Sequence, residues 1–356
     1  MDAAVKELEK SRKLCRRKEI RDMKKMIYGV DLGWATQLEA QGFRWLDEAG
    51  EEKEILAASK ELGVNAVRLR IFVDPPEEAF WQKQEDELCM LGFCDAKGVL
   101  AMAERVKKSG MKLMVGFHYS DHFADPEHQD IPLEWENDSD DQLEKRVCEH
   151  TKEVLRLLTE HGAGPDWVQV GNEINNGIMW PKGSLKEAPK QLVRFLNAGY
   201  DAVKEVCPQA QVITHLASVL SDDLCLPFLD NFFAENGKTD LLGFSYYPYW
   251  EKFVSDKDRL SQKLKEYANR YGKPVMIVEV GGPDYDEEDT YKDVADCIGA
   301  VKEQEAQEEY GVFYWEPEAA AQILPDRYPL GAAQLVGEKT LKYNKALKAY
   351  RDDREK

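Results

Sequence analysis

From Tyr28 onward the chain alternates two hydrophobic patterns. Short apolar runs rich in β-branched residues recur at intervals. Between them lie longer stretches whose apolar residues return every three or four positions, as on one face of a helix. The short runs predict strands near Tyr28–Gly33, Ala66–Val73, Lys112–Ser120, Trp167–Glu173, Gln211–Ala217, Leu241–Pro248, Pro274–Gly281 and Gly311–Pro317. The longer ones predict helices such as Glu51–Leu62, Asp95–Ser109, Leu143–Glu160, Ala188–Val206 and Asp289–Glu308, several of them stopped by Gly. Near-continuous apolarity along a strand marks one buried on both faces, as parallel strands are. Eight strand-helix units in one uninterrupted series point to an α/β fold, a single (β/α)8 TIM barrel. Parallel strands need crossovers, and right-handed crossovers wind one way. An open doubly wound sheet is the competing architecture, but the Gly-rich phosphate turn it needs after its first strand is missing. Residues 1–26 stand apart as a basic, polar, helical extension in which Glu and Asp interleave with Lys and Arg. Residues 27–356 form the barrel.

Composition narrows the partners. A formal charge of −19 opposes binding to nucleic acid or to an anionic membrane, both of which reward excess Lys and Arg. No apolar run approaches the roughly 18 residues of a membrane span. Seven cysteines lie scattered without Cys-x-x-Cys spacing, and an odd number cannot all pair within one chain, which favours free thiols in a reducing compartment. The N-terminal segment has no apolar signal core, so the expected location of the chain as written is cytoplasmic, or secreted if a leader has been trimmed.

In a barrel, residues at the carboxyl ends of the strands gather on one face, where chemistry sits. Those ends supply Asp31, Arg70, His118 with Asp121, Asn172 with Glu173, His215, Tyr247, Glu279 and Trp315. Two apolar runs stop on carboxylates, Trp-Val-Gln-Val-Gly-Asn-Glu at Glu173 and Pro-Val-Met-Ile-Val-Glu-Val with Glu279. Two such acids facing one cleft are the minimum equipment for retaining glycoside hydrolysis, which requires a separation of roughly 5–5.5 Å. Asn172 beside Glu173 could donate to a sugar 2-hydroxyl, which marks Glu173 as acid/base. Glu279 is the nucleophile, with Arg70 expected to lower its pKa and the Tyr247 hydroxyl to orient it.

Any one of these residues alone reads more simply as a rim salt bridge or a packed polar group; their convergence from all eight strands is what carries the inference. His118, His122 and His128 with Asp121 and Asp125 have the composition of a metal cluster. Their spacing matches no compact zinc pattern, so neither a metal nor a cofactor is expected. Phe123, Trp135, Trp180, Tyr247, Tyr249, Trp250 and Trp315 recur in the loops after the strands. Such rings suit the C–H faces of pyranoses, Trp315 being the best placed and Trp135 the least.

Several segments in this order resemble glycoside hydrolase family 53, the arabinogalactan endo-β-1,4-galactanases, a family of retaining (β/α)8 glycosidases. They are Gly29-Val30-Asp31, Gly63 to Arg70, His118-Tyr119-Ser120-Asp121, Ala124-Asp125-Pro126, Val170 to Gly177, Ser245-Tyr246-Tyr247-Pro248 and Tyr314-Trp315-Glu316-Pro317. The resemblance implies Glu173 as acid/base and Glu279 as nucleophile, with Arg70, His118, Asn172, His215, Tyr247 and Trp315 around the sugar. Asp31, Asp121, Asp125 and Trp180 complete the expected substrate-binding set. Either Tyr246 or Tyr247 points inward, since strand alternation forbids both, and Tyr247 is nearer the loop.

The chain departs from the family where Phe72 and Phe123 replace Trp and where Gly281-Gly282-Pro283 follows the nucleophile strand in place of Asn-Trp-Pro. Each lost platform would weaken sugar binding by about 1–3 kcal/mol. The expected substrate is therefore a β-linked oligo- or polysaccharide, with short β-1,4-galacto-oligosaccharides favoured over long galactan. A related retaining glycosidase acting on β-glucan, β-mannan or another β-galactoside is the alternative. A carbohydrate-binding barrel without turnover is a third reading, disfavoured because both acids are present. Some bacterial relatives hold calcium in the loop after the eighth strand; here Glu318 to Arg327 offers only Glu318 and Asp326, too few oxygens for such a site unless backbone and water supply the rest, and calcium is not expected.

Overall fold

The computed structural model describes residues 26–304 and 310–356. The basic extension, apart from Met26, and the end of the helix expected at Asp289–Glu308 lie outside the described residues. Eight strands form a closed, all-parallel barrel: β1 (Met26–Asp31), β2 (Ala66–Ile71), β3 (Lys112–Phe117), β4 (Trp167–Val170), β5 (Gln211–Leu216), β6 (Leu241–Tyr246), β7 (Val275–Val280) and β8 (Tyr310–Tyr314). Each pairs with its sequence neighbours, and β8 closes on β1. The crossover helices are Ile55–Glu61, Ala96–Lys108, Asp140–Glu160, Pro189–Val206, Asp222–Ala234, Lys257–Tyr271 and Glu287–Lys302, and Lys348–Arg354 follows β8. Local chemistry sets their ends. Ser139 and Gln142 form a reciprocal capping box at the start of Asp140–Glu160. Gly272, at φ +64°, ends Lys257–Tyr271 in the left-handed conformation that glycine adopts without cost.

The strands read as apolar throughout because each is covered twice. One set of side chains packs outward against the helices. The other fills the barrel floor: Ile27, Ala66, Met114, Trp167, Ile213, Leu241, Met276, Val278 and Phe313. Space there is tight enough to dictate sequence: a Cβ on Gly29 would lie 2.1 Å from the Phe313 ring. Above this plug the inward positions turn polar, with Arg68, Gln169, His215 and Ser245 each buried.

Every strand ends short of its sequence-predicted limit. The residues beyond leave the ladder in tight turns, and Tyr119, Glu173, Ser218 and Glu316 take φ between +48° and +55°. Non-glycine residues held there are strained, and they cluster at the rim where the strands splay. Several elements were not expected from the sequence, among them a four-stranded side sheet (Arg44–Leu46, Glu52–Lys53, Ala333–Gly337 and Thr340–Tyr343). Another is an antiparallel hairpin, Phe80–Gln84 with Glu87–Met90, which the chain inserts after β2 before the helix Ala96–Lys108 begins.

Candidate active site

A cleft of about 240 Å³ opens at the carboxyl ends of the strands, lined by Glu173, Glu279, Asn172, His118, Tyr247 and Trp315 together with Trp34, Phe123, Asp125 and Tyr328. The two acids face each other across it. One carboxylate oxygen of each, with a ring nitrogen of His215, all lie within 4.8 Å of one another.

The backbone delivers Glu279 by an irregularity. Val278 belongs to the barrel floor, so simple alternation would send Glu279 outward. The register of β7 slips against β6 between Phe244 and Ser245, and against β8 between Ile277 and Val280. A bulge of this kind re-aims a side chain, and here it turns Glu279 into the cleft. Its Oε2 accepts from the Tyr247 hydroxyl at 3.0 Å and its Oε1 from Arg68 at 2.7 Å.

Arg68, rather than the expected Arg70, is thus the cation at Glu279. Arg68 also donates to Asp31 Oδ2 at 3.0 Å and to Asn172 Oδ1 at 2.6 Å. Arg70 points inward as well, two residues on, but one layer nearer the rim. There it pairs with Glu316, donates to the Leu91 carbonyl at 2.7 Å and lies 4.8 Å from the Phe123 ring. Alternation marks both arginines as inward-facing and cannot rank them by depth.

Glu173 accepts from the Ser245 hydroxyl at 2.6 Å, and Ser245 Oγ lies 2.8 Å from His215 Nε2. His215 Nδ1 in turn is 3.1 Å from Asn172 Oδ1. Burial, reinforced by the charge of Glu279, pushes the Glu173 carboxyl well above the usual range, and the Ser245 hydrogen bond opposes this. Burial and the nearby Arg68 hold His215 well below its ordinary pKa, so the ring is neutral. From Glu173 through Ser245 to His215 the row can run in either direction, whereas Asn172 Oδ1 at its end only accepts. With Glu173 ionised, Ser245 donates to it; with Glu173 protonated, the carboxyl donates to Ser245, which donates to Nε2. One arrangement therefore serves both protonation states of an acid/base group.

His118 Nδ1 accepts from the Ala124 N–H at 2.9 Å, which leaves the Nε2–H as a donor. Burial, with Arg68 and Arg70 near, keeps the ring well below its usual pKa and neutral. Asn172 spends one amide hydrogen on the Ala124 carbonyl at 2.8 Å; the other has no protein partner among the described residues. Trp315 stands edge-on to Trp34 and Tyr328, with ring centroids 5.1 and 4.7 Å away. Tyr246 turns outward against Phe253.

Besides Arg70, four further residues expected at the substrate sit elsewhere. Asp121 clasps two loops by accepting from the N–H groups of Asp74 and Leu133. Trp180 donates to the Asn176 carbonyl outside the cleft. Asp31 lies under Arg68, its pKa raised by burial with Arg68 opposing. His215 is fully buried beneath Glu173 and supports that acid without lining the cleft. Asp125 does line the cleft, its Oδ1 held by the N–H groups of Glu127 and His128. The histidine cluster does not gather: His122 lies flat on Trp81 and His128 pairs with Asp125.

Sequence reasoning missed Arg68, Ser245, Trp34, Tyr328 and the hairpin residues Trp81, Lys83, Glu87 and Cys89. Two of them carried a usable signal, since Arg68 and Ser245 occupy inward positions two residues before Arg70 and Tyr247. As for a metal, Glu173, His215 and Glu279 have ligand spacing, but both ring nitrogens of His215 already have partners within the protein.

The model of glycosyl hydrolase family 53 matches residues 27–297. An uncharacterized protein from the bgaB 5′ region of Niallia circulans is 36% identical over 264 residues, 72% of this chain and 68% of its own length. The arabinogalactan endo-beta-1,4-galactanase of Humicola insolens is 28% identical over 310 residues, 81% of this chain and 88% of its own. Among solved structures, the GH53 catalytic domain of Ignisphaera aggregans superposes with a TM-score of 0.79 at 29% identity, covering 91% of this chain and 95% of that one.

Proposed function

The chain belongs to glycosyl hydrolase family 53, and on that premise we propose that it cleaves β-1,4-galactosidic bonds in galactan or galacto-oligosaccharides by double displacement. The observation that carries the reading is the approach of the two carboxylates, with oxygens within 4.8 Å. That proximity supports a nucleophile with an acid/base over an inverting pair, which needs room for a water between its carboxyl groups.

Glu279, oriented by Tyr247 and Arg68, attacks the anomeric carbon. The bond to the leaving oxygen breaks as the proton of Glu173 moves to that oxygen, and a covalent glycosyl ester forms on Glu279. Water then attacks the same carbon, gives its proton to Glu173, and releases Glu279. Asn172 has a free amide hydrogen for the sugar 2-hydroxyl, a contact that strengthens in the transition state. His118, as an Nε2–H donor, has the tautomer to meet a neighbouring hydroxyl.

Two measurements test the proposal. Proton NMR of fresh hydrolysate should show the β-anomer first; α-anomer appearing first would overturn the double displacement. Sugar release from defined galacto-, gluco- and manno-oligomers should favour the galacto series; preference for another series would overturn the substrate assignment alone.

A further inference from the structure

The hairpin Phe80–Met90 presents one face to the cleft. In its register Trp81 lies opposite Cys89, and alternation places Lys83 and Glu87 on the same side. All four line the cleft. The hairpin is built as a fixed wall. At its base, Arg70 holds the Leu91 carbonyl, the Trp34 indole donates to the Met90 carbonyl at 2.6 Å, and Gln37 binds both the Ala79 carbonyl and the Gly92 N–H. On one flank Trp81 stacks flat on His122, ring centroids 4.0 Å apart, and Lys83 reaches Asp125 at 4.0 Å. On the other, Cys89 lies beside Asp326 in the segment after β8, and both line the cleft.

These contacts span the sector of the ring from β8 through β1 and β2 to β3. The acids on β4 and β7 separate that sector from β5 and β6. His118 on the β3 side and Trp315 on the β8 side, the groups available to hold the reacting sugar, lie with the wall. The leaving group therefore departs over β5 and β6, where Trp250 lines the cleft while remaining 52% exposed.

Resting on the hydrolytic reading above, we propose that the hairpin Phe80–Met90 closes the glycone end of the cleft, so that the chain is cut at a short, fixed distance from its non-reducing terminus. Trp81 supplies an apolar stop, and Lys83 and Glu87 supply polar atoms for the terminal hydroxyls. The Humicola insolens relative is named as an endo-acting enzyme; this chain instead acts from the chain end.

The test uses β-1,4-galacto-oligosaccharides of increasing length, labelled at the reducing end, with gluco- and manno-oligomers in parallel. The full chain should release one unlabelled product of constant length, whatever the substrate length. A ladder of products from interior cuts overturns the proposal. A Trp81→Ala/Lys83→Ala variant, which keeps the base of the hairpin, should shift from one product to a ladder, and so should a variant with the hairpin shortened to a turn. An unchanged single product from a folded shortened variant also overturns it. If only gluco- or manno-oligomers are cut, the galactan reading fails while the cut position still tests the wall. No cleavage in any series overturns both.

Discussion

Removing the carboxyl of Glu173 separates the two halves of the reaction. A Glu173→Ala variant loses the proton donor that the leaving oxygen needs, a contribution of about 10²–10⁴-fold, or roughly 3–5 kcal/mol of barrier. That loss falls on natural oligosaccharides, whose leaving oxygen is a poor anion. An aryl glycoside with an acidic phenol needs no proton, so its first step should survive. Glu279 keeps its Tyr247 and Arg68 contacts, and the glycosyl ester still forms, but it accumulates because no base activates water. The deleted carboxyl leaves a gap bounded by Ser245 Oγ, its former partner at 2.6 Å, on the face of the sugar opposite Glu279. Azide, which needs no base, should enter that gap, restore turnover and yield the β-glycosyl azide.

The pH profile supplies a second readout. The pKa of Glu173 is raised by burial and by the charge of Glu279, so the wild-type enzyme works with the acid protonated and loses activity as pH rises through that value. The alkaline limb should vanish in the variant with the aryl substrate. The assay is kcat/KM on both substrates with and without azide. Equal losses on both, or an α-azide product, would refute the assignment, the latter by exchanging the roles of the two acids.

Ser245→Ala removes a hydrogen bond that lowers the pKa of Glu173, so the alkaline limb of kcat/KM should move to higher pH with the fold intact; a limb that stays put, or moves down, refutes the coupling. Arg68→Met leaves Asp31 and Glu279 buried beside each other without their shared cation. Urea denaturation should show a loss of about 3–5 kcal/mol, partly recovered by Asp31→Asn in the same chain. Asp293 is raised to about 7, chiefly by burial. An acid raised on folding contributes stability that is fully present below its unfolded pKa and lost as pH rises toward the folded value, here between about pH 4 and 7. Asp293→Asn should therefore raise the melting temperature at pH 8 by the equivalent of a few kcal/mol and change it little at pH 3.5.

The barrel and the two acids that face its cleft were legible along the chain because both are written locally. A doubly buried strand must be apolar for its whole length, so a run that stops on Asn-Glu or carries Glu near its end announces an acid at the rim. Eight such runs separated by helical periodicity leave little choice of architecture. The same local code explains the limits of the reading. Alternation reports the side a residue faces and is silent on depth, so Arg70 was expected at Glu279 although it is Arg68, two residues before it on the same side, that reaches that acid. His215 and Trp315 both stood at strand ends, yet one supports an acid from below and the other lines the cleft.

Tertiary structure decided whatever depends on distances between segments far apart in the chain. The slip in the register of β7 that turns Glu279 inward has no signature in Val-Met-Ile-Val-Glu-Val; it arises from how β6 and β8 hold that strand. The hairpin after β2 is faintly visible, in the alternation of Trp81 with Lys83 and of Glu87 with Cys89, but its place over the cleft is not. That place depends on Arg70, Trp34 and Gln37 below it and on His122 and Asp326 beside it. Sequence periodicity encodes which side of each segment avoids water; closure of the ring sets which of those sides meet.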